Sequence, residues 1–175
     1  GAELIREVVG DQEVELLFLL PGVDANRYPY QEEAEYIQSL LENIEGTHIK
    51  VSIQQMDWGP CKEEMEAGNY NLCLKIQGLP SANPFSLFKG FMHTEGGTNI
   101  SYGLGYHNDH VDELIEEDAG RLTEIYTELQ EISAVDFPNI PVLYSQEVVA
   151  SSSDITGYQA TVYGLTGFTQ VCWAG

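Results

Sequence analysis

Val14-Glu15-Leu16-Leu17-Phe18-Leu19-Leu20 is the stretch on which the fold turns. It is almost wholly apolar, it is short, and Pro21-Gly22 ends it. A strand with one wet face alternates polar and apolar residues, whereas a strand covered on both faces reads as a continuous apolar run of this kind. Downstream, Ala34, Ile37, Leu40, Leu41 and Ile44 fall on one helical stripe, and Gly46 follows as a stop signal. Ile49, Val51 and Ile53 then alternate with Lys50, Ser52 and Gln54, which is the period of a strand. A short helix is expected around Cys61 to Ala67, ended by Gly68-Asn69, and Tyr70, Leu72, Leu74 and Ile76 alternate again. Strand, helix, strand, helix, strand at this spacing predicts parallel βαβ units. The fold class is therefore α/β, with a mainly parallel sheet and helices on both faces.

Between Gly78 and Ser101 the periodicity is lost. Leu79-Pro80-Ser81-Ala82-Asn83-Pro84 is turn chemistry, Phe85 to Phe88 reads as one helical turn, and Glu95-Gly96-Gly97-Thr98-Asn99 reads as a flexible polar loop. A long irregular stretch directly after a parallel strand is where α/β domains build ligand sites. Two helices follow. Asn108 is placed to cap the first, with Val111, Leu114 and Ile115 apolar, and Gly120 separates it from a stripe of Leu122, Ile125, Tyr126, Leu129 and Ile132. Phe137-Pro138-Asn139 turns into an expected strand from Ile140 to Ala150, and Ser151-Ser152-Ser153-Asp154 forms a loop.

Seven Lys and Arg stand against 28 Asp and Glu in 175 residues, a formal net charge of −21. That balance excludes a nucleic-acid partner, because phosphate neutralisation needs clustered Lys and Arg, and it disfavours an anionic membrane surface. With 43% hydrophobic residues the chain can bury an ordinary core. The run Val14 to Leu20 is far too short to span a bilayer, which takes about 20 residues. Cys61, Cys73 and Cys172 form no CxxC pair and read as small core residues. Gly1-Ala2-Glu3 opens the chain with no basic n-region or apolar h-region, as expected for a cytoplasmic protein or for a piece of a longer exported one.

Motifs for covalent chemistry are missing. There is no Gly-x-Ser-x-Gly elbow and no Gly-x-x-x-x-Gly-Lys-Ser/Thr loop, and Gly103-Leu104-Gly105 lacks the third glycine of a dinucleotide fingerprint. Metal chemistry has a few donors. His107 and His110 lie beside Asp109 and Asp112 at a helix start, which reads first as a solvated acidic N-terminus stabilised by the helix dipole. His93 lies in the long loop without apolar periodicity around it, and a loop imidazole is either a nickel, copper or zinc ligand or a surface residue. His48 opens a strand and reads as structural. Asn99-Ile100-Ser101 matches a glycosylation sequon, a triplet that is frequent by chance.

Several blocks, in order, resemble one family. Ala34-Glu35-Tyr36-Ile37-Gln38-Ser39-Leu40-Leu41 followed by Ile49-Lys50-Val51-Ser52-Ile53, then Met65-Glu66-Ala67-Gly68-Asn69-Tyr70-Asn71-Leu72, then Asn83-Pro84 with Phe88, are similar to its successive helix, strand and turn motifs. Tyr106-His107-Asn108-Asp109-His110-Val111-Asp112-Glu113-Leu114-Ile115, Arg121-Leu122-Thr123-Glu124-Ile125-Tyr126 and Ile140-Pro141-Val142 with Gly157 continue the series. The family is that of the extracytoplasmic solute-binding proteins of peptide and nickel ABC transporters (family 5), and the resemblance is to their C-terminal lobe. It implies one lobe of a two-lobed, type II periplasmic-binding-protein-like fold. Residues 1–12 are then a fragment start or linker, 13–154 the α/β ligand-binding lobe, and 155–175 an extended tail that packs on the missing lobe or a partner.

The resemblance further implies a substrate-binding component that is not an enzyme, capturing nickel, a nickel chelate or oligopeptides by hinge closure and delivering them to a membrane permease. Its location would be extracytoplasmic, periplasmic or lipid-anchored at the cell surface. No cofactor is required, and nickel would be cargo. The expected ligand walls are Trp58, Asn83, Tyr102 and Tyr106, with His93 as the metal ligand, since nickel-type members use a histidine in that interval. Two departures stand out: the family's Trp after the third strand is replaced by Gln77-Gly78-Leu79, and its ligand-gripping Arg and Lys have no counterpart in the loop beyond Lys89. Two other classes compete. One is a small metal-dependent hydrolase using His93, His107 and His110; the other is a protein–protein module whose aromatic tail (Tyr158, Tyr163, Phe168, Trp173) pairs with another chain.

Overall fold

The computed structural model describes residues 1–22, 28–78, 83, 85–117, 122–136, 139–142, 152–158 and 170–174. The expected strand Ile140 to Ala150 lies outside the described residues from Leu143 onward, as do Tyr163 and Phe168 of the tail. Strand β1 (Glu13–Pro21), helix α2 (Tyr30–Glu42), strand β2 (His48–Met56), helix α3 (Trp58–Glu66) and strand β3 (Leu72–Cys73) follow a first helix α1 (Ala2–Val9). The three strands form one parallel sheet in the order β2-β1-β3.

The central place of β1 explains its continuous apolar run. Phe18 and Leu20 enter one cluster with Tyr30 and Ala34 of α2 and Ile49 and Val51 of β2. Leu19, one residue out of phase, packs on the other face with Cys61 and Met65 of α3. Leu19 and Leu20 are completely buried, which contributes about 1.5–3 kcal/mol each. The chain leaves β1 for β2 on one side and then passes back beyond β1 to β3. Crossovers of one hand running in opposite directions put their helices on opposite faces of the sheet. Ile5 and Val9 of α1 add to the cluster under α2.

Four local expectations are corrected. Leu40 is not on the buried stripe of α2 but 54% exposed; Ala34 is buried, and Ile37 and Leu41 pack beside it. Helix α3 starts at Trp58, ahead of Gly59-Pro60, because a proline in the first helical turn gives up an N–H that has no intrahelical partner anyway. The ladder of β3 holds only Phe18↔Leu72 and Leu19↔Cys73. Before it, Asn71 replaces ladder bonds with its side chain, accepting from the Leu17 N–H at 2.7 Å while its own N–H donates to the Leu17 carbonyl at 3.0 Å.

The fourth correction concerns the stretch read as irregular. Phe85–Met92 is a helix, α4, and Gly97–Ser101 a short one, α5. With α6 (Asp109–Glu116) and α7 (Leu122–Asp136) they enclose a second core of Phe91, Met92, Val111, Leu114, Ile115, Ile125 and Leu129. Asn108 caps α6 as expected, its side chain accepting from the N–H groups of His110 and Val111. In the tail, β4 (Ile155–Thr156) pairs antiparallel with β5 (Cys172–Trp173), leaving Trp173 exposed. Among the described residues no helix is long and apolar enough to cross a membrane.

Candidate ligand-binding site

In an open parallel sheet the ligand crevice lies beyond the carboxyl ends of the strands, where successive connections leave in opposite directions. Here that point is between β1 and β3. Lys75, two residues past β3, sits there. Its ammonium lies 4.6 Å from the centroid of the Trp58 ring, at the start of α3, and 3.9 Å from that of Tyr102, which follows α5. The Lys75 Nζ also donates to the Tyr102 hydroxyl. Tyr102 is held in turn by Tyr70, whose hydroxyl donates to the Tyr102 carbonyl at 2.6 Å, and by an edge contact with Phe91. The slot is therefore braced from both cores.

Electrostatically the slot holds an isolated cation. Among the described residues no carboxylate lies within ion-pair distance of Lys75; the lysine that does form an ion pair is Lys62, with Glu66. Besides the Tyr102 phenol, its titratable neighbours are the thiols of Cys61 and Cys73. Burial pushes the Cys73 thiol up to about 12 and raises Cys61 as well, so both are neutral at physiological pH. Burial also lowers the Lys75 pKa. The two ring faces compensate part of that desolvation, about 0.5–2 kcal/mol per cation–π contact. All three cysteines are free; Cys61 and Cys73 lie in the small core as expected, whereas Cys172, expected in a core too, is exposed on the short strand β5.

Of the four expected wall residues the structure brings Trp58 and Tyr102 together, through Lys75, and sets the other two apart from them. Asn83 accepts from the Phe85 N–H at 3.0 Å at the start of α4 and from the Tyr126 hydroxyl at 2.8 Å, joining α4 to α7. The Tyr106 hydroxyl donates to Asp136 at 2.6 Å; burial, and then that hydrogen bond, push it up to about 12. Lys75 is the residue that sequence reasoning missed. The available signal was a basic residue at the end of a strand in a chain with so few of them.

The histidines go to different partners. The His93 Nδ1 accepts from the Glu95 N–H at 3.0 Å, and its Nε2 faces Glu116 at 3.5 Å and Asp112 at 4.0 Å. His107 bonds Thr94 at 2.8 Å, and His110 bonds Glu128 of α7 at 2.7 Å. Among the described residues no group of three His, Cys, Asp or Glu side chains is arranged to hold a metal ion, so the ligand sphere the hydrolase reading needs is not formed. Nor is Asn99 an exposed sequon: its side chain is buried and fully hydrogen-bonded.

Asp112 supplies a pH prediction. Burial works against its charge, but hydrogen bonds from the Thr94 side chain and backbone, with His93 and His107 nearby, outweigh it and hold the carboxyl below the usual carboxylate range. A depressed folded-state pKa contributes stability above the unfolded value of about 3.9, lost as pH falls through the folded value. Wild type is expected to lose stability more steeply than Asp112→Asn as pH drops from about 5 to about 3. Urea midpoints along that range measure it, and parallel curves would remove Asp112 from the account.

No protein-family model matches the chain, and no curated protein sequence matches it. Solved structures do. The architecture is that of one lobe of a periplasmic-binding-protein-like fold. The chain is similar to the periplasmic binding protein DppA of Helicobacter pylori in complex with the peptide STSA, at TM-score 0.74 and 22% identity over 98% of this chain and 33% of that one. It is similar to a dipeptide-binding protein from Pseudoalteromonas sp. SM9913 in complex with Met-Leu, at TM-score 0.77 and 17% identity over 99% of this chain and 35% of that one. A third is NikA of Brucella suis in complex with Fe(III)-EDTA, at TM-score 0.57 and 16% identity over 75% of this chain and 29% of that one. The chain thus spans about a third of the length of these proteins. The first two of these neighbours are binding proteins by description.

Proposed function

We propose that this chain is one lobe of the substrate-binding component of an ABC importer, and that its cargo is a peptide. The observation that carries the reading is the Trp58–Lys75–Tyr102 slot at the β1/β3 end of the sheet. It offers broad aromatic faces and one cation, chemistry suited to an apolar ligand body with a single polar end. Capture proceeds by closure of a second lobe over this face without covalent chemistry, and the closed complex docks on a membrane permease. The working location is extracytoplasmic. Nickel as cargo draws less support: both ring nitrogens of His93 already have protein partners, and the slot itself carries a positive charge.

Native mass spectrometry of the full-length protein, purified from its own host without added ligand, tests the cargo. A ladder of peptide masses is the expected result. A mass increment of nickel, alone or with a small chelator, that disappears in His93→Ala would overturn the peptide reading and restore His93 as the ligand.

A further inference from the structure

We propose that Cys61, Met65 and Cys73 form a binding site for a soft monovalent metal ion, Cu(I) in chemical class, held by two thiolates and one thioether under α3. The site adjoins the aromatic slot but does not involve His93, and it is independent of what the cargo is.

Sulfur is concentrated here. The chain has three Cys and three Met, and four of these six meet in one small cluster: Cys61 and Met65 are buried with Leu19, and Met56 and Cys73 pack against them. Cys61 and Met65 stand one helical turn apart on the inner face of α3, and Cys73 lies opposite Leu19 in the β3 ladder. Helix and strand therefore present sulfur to the same face of β1. Both thiols also converge on one thioether, the Cys61 Sγ lying 3.8 Å and the Cys73 Sγ 3.9 Å from the Met65 Sδ. Sulfurs bound to one metal at about 2.3 Å are spaced by about 3.8–4.0 Å, from tetrahedral to trigonal geometry. Both spacings already match. Van der Waals packing alone brings core atoms this close, but it has no need of sulfur at every corner.

Softness and charge select the ion. Thiolate and thioether favour Cu(I) over hard cations. Zinc takes Cys, His, Asp or Glu, and this cluster supplies only two ligands of those kinds. A monovalent ion with two thiolates carries −1, which the nearby Lys75 ammonium balances, since its charge acts on both thiols. A divalent ion with two thiolates is already neutral and leaves Lys75 without that counter-charge. Entry is from the side of Cys73, which is partly exposed, whereas Cys61 and Met65 are completely buried. As each cysteine–metal bond forms, the thiol proton leaves for solvent; Met65 contributes a lone pair and loses nothing, and the metal keeps its oxidation state.

The test uses the full-length protein carrying Cys172→Ser, which removes the exposed third thiol, after reduction and removal of the reductant, in chloride-free buffer without oxygen. Ag(I), a redox-inert ion of the same charge and preference, is titrated by calorimetry, and Cu(I) is titrated against a colorimetric Cu(I) chelator. One ion per chain is expected that is lost in both Cys61→Ala and Cys73→Ala, with about two protons released per ion, read from titrations in buffers of different protonation enthalpy. Met65→Leu keeps the volume and removes the thioether, so it should weaken affinity about tenfold or more while leaving the proton count unchanged. X-ray absorption of the Cu(I) form should show a sulfur shell at about 2.3 Å. Binding that survives Cys61→Ala and Cys73→Ala, or that ignores Met65→Leu, overturns the three-sulfur site. So does Zn(II) binding at these residues with equal or greater affinity, or a Cys61–Cys73 disulfide in protein purified without reductant, which would make the pair a redox couple instead. Thermal unfolding of the metal-free variants within a few degrees of the parent shows that the fold is intact, and Ag(I) should raise the melting temperature of the parent but not of Cys73→Ala. Cys73, the partly exposed member, keeps the test decisive should a buried substitution unfold the protein.

Discussion

Asn99→Asp, a change of one atom type, is expected to destabilise the protein by about 3–5 kcal/mol at neutral pH, as for a buried charge facing the wrong partners. Asn99 is 3% exposed. Its Nδ2 donates to the carbonyls of Tyr106 at 2.7 Å, His93 at 3.0 Å and Thr94 at 3.3 Å, and its Oδ1 accepts from the Tyr106 N–H at 3.0 Å. One side chain thus ties the turn after α4 to the segment entering α6. Aspartate keeps the bond from the Tyr106 N–H but turns its second oxygen toward three carbonyl oxygens. If ionised it is repelled by all three; if protonated it can satisfy only one of them. The folded-state pKa of the new carboxyl therefore lies above its unfolded value, and its deficit relative to wild type should shrink as pH falls toward about 4. Asn99→Ala, which leaves these groups unpaired without adding charge, should cost about 2–3 kcal/mol. Urea unfolding at neutral and acid pH measures both variants. A deficit for Asn99→Asp below that of alanine, or one independent of pH, would show that water rather than Asn99 satisfies these carbonyls.

Asn99 also shows why the middle of the chain was not legible. Gly96-Gly97-Thr98-Asn99 has the composition of a loop, and by propensity it is one. The short helix α5 is held in place because the Asn99 side chain ties it to the carbonyls of His93 and Thr94 before it and to Tyr106 in the segment entering α6 after it. Helix α4 was hidden for another reason. Phe85, Leu87, Phe88, Phe91 and Met92 all pack on the second core, but eight residues repeat a helical spacing barely twice, so the pattern is too short to stand out beside the turn residues before it. By contrast β1, α6 and α7 were readable because each carries its own pattern: a continuous apolar run, a capping Asn108, and apolar positions at helical spacing. The site divides the same way. Trp58 and Tyr102 could be nominated as large aromatics near strand ends and loops. Lys75 carried only the weak signal of a basic residue at a strand end, because its meaning comes from a ring contributed 27 residues away, which is not a property of local sequence.

The second large effect is expected from Gly103→Ala, and it should strike the slot and the fold together. Gly103 has φ +56° and lies against the carboxyl end of α3. A Cβ there would overlap the Met65 carbonyl oxygen and approach the Gly68 nitrogen to 2.9 Å and the Glu66 carbonyl oxygen to 3.2 Å. All three are backbone atoms, so no side chain can swing aside, and the Gly68 N–H already donates to that same Met65 carbonyl. Relief requires α3 and the α5–α6 connection to separate. Gly105→Ala is the matched control, since Gly105 has φ +63° with open space around it. The control measures the dihedral cost alone, about 1 kcal/mol, whereas Gly103→Ala should cost about 3 kcal/mol or more. Because Tyr102 adjoins Gly103 and Trp58 begins the displaced helix, Gly103→Ala should also weaken ligand binding in whatever fraction remains folded, and Gly105→Ala should leave affinity near wild type. Denaturant midpoints and ligand titrations of the two variants read these effects separately. Equal, small losses for both would mean that the α3 terminus yields to a methyl group, and that the spacing between Trp58, Lys75 and Tyr102 is not set by backbone contact at Gly103.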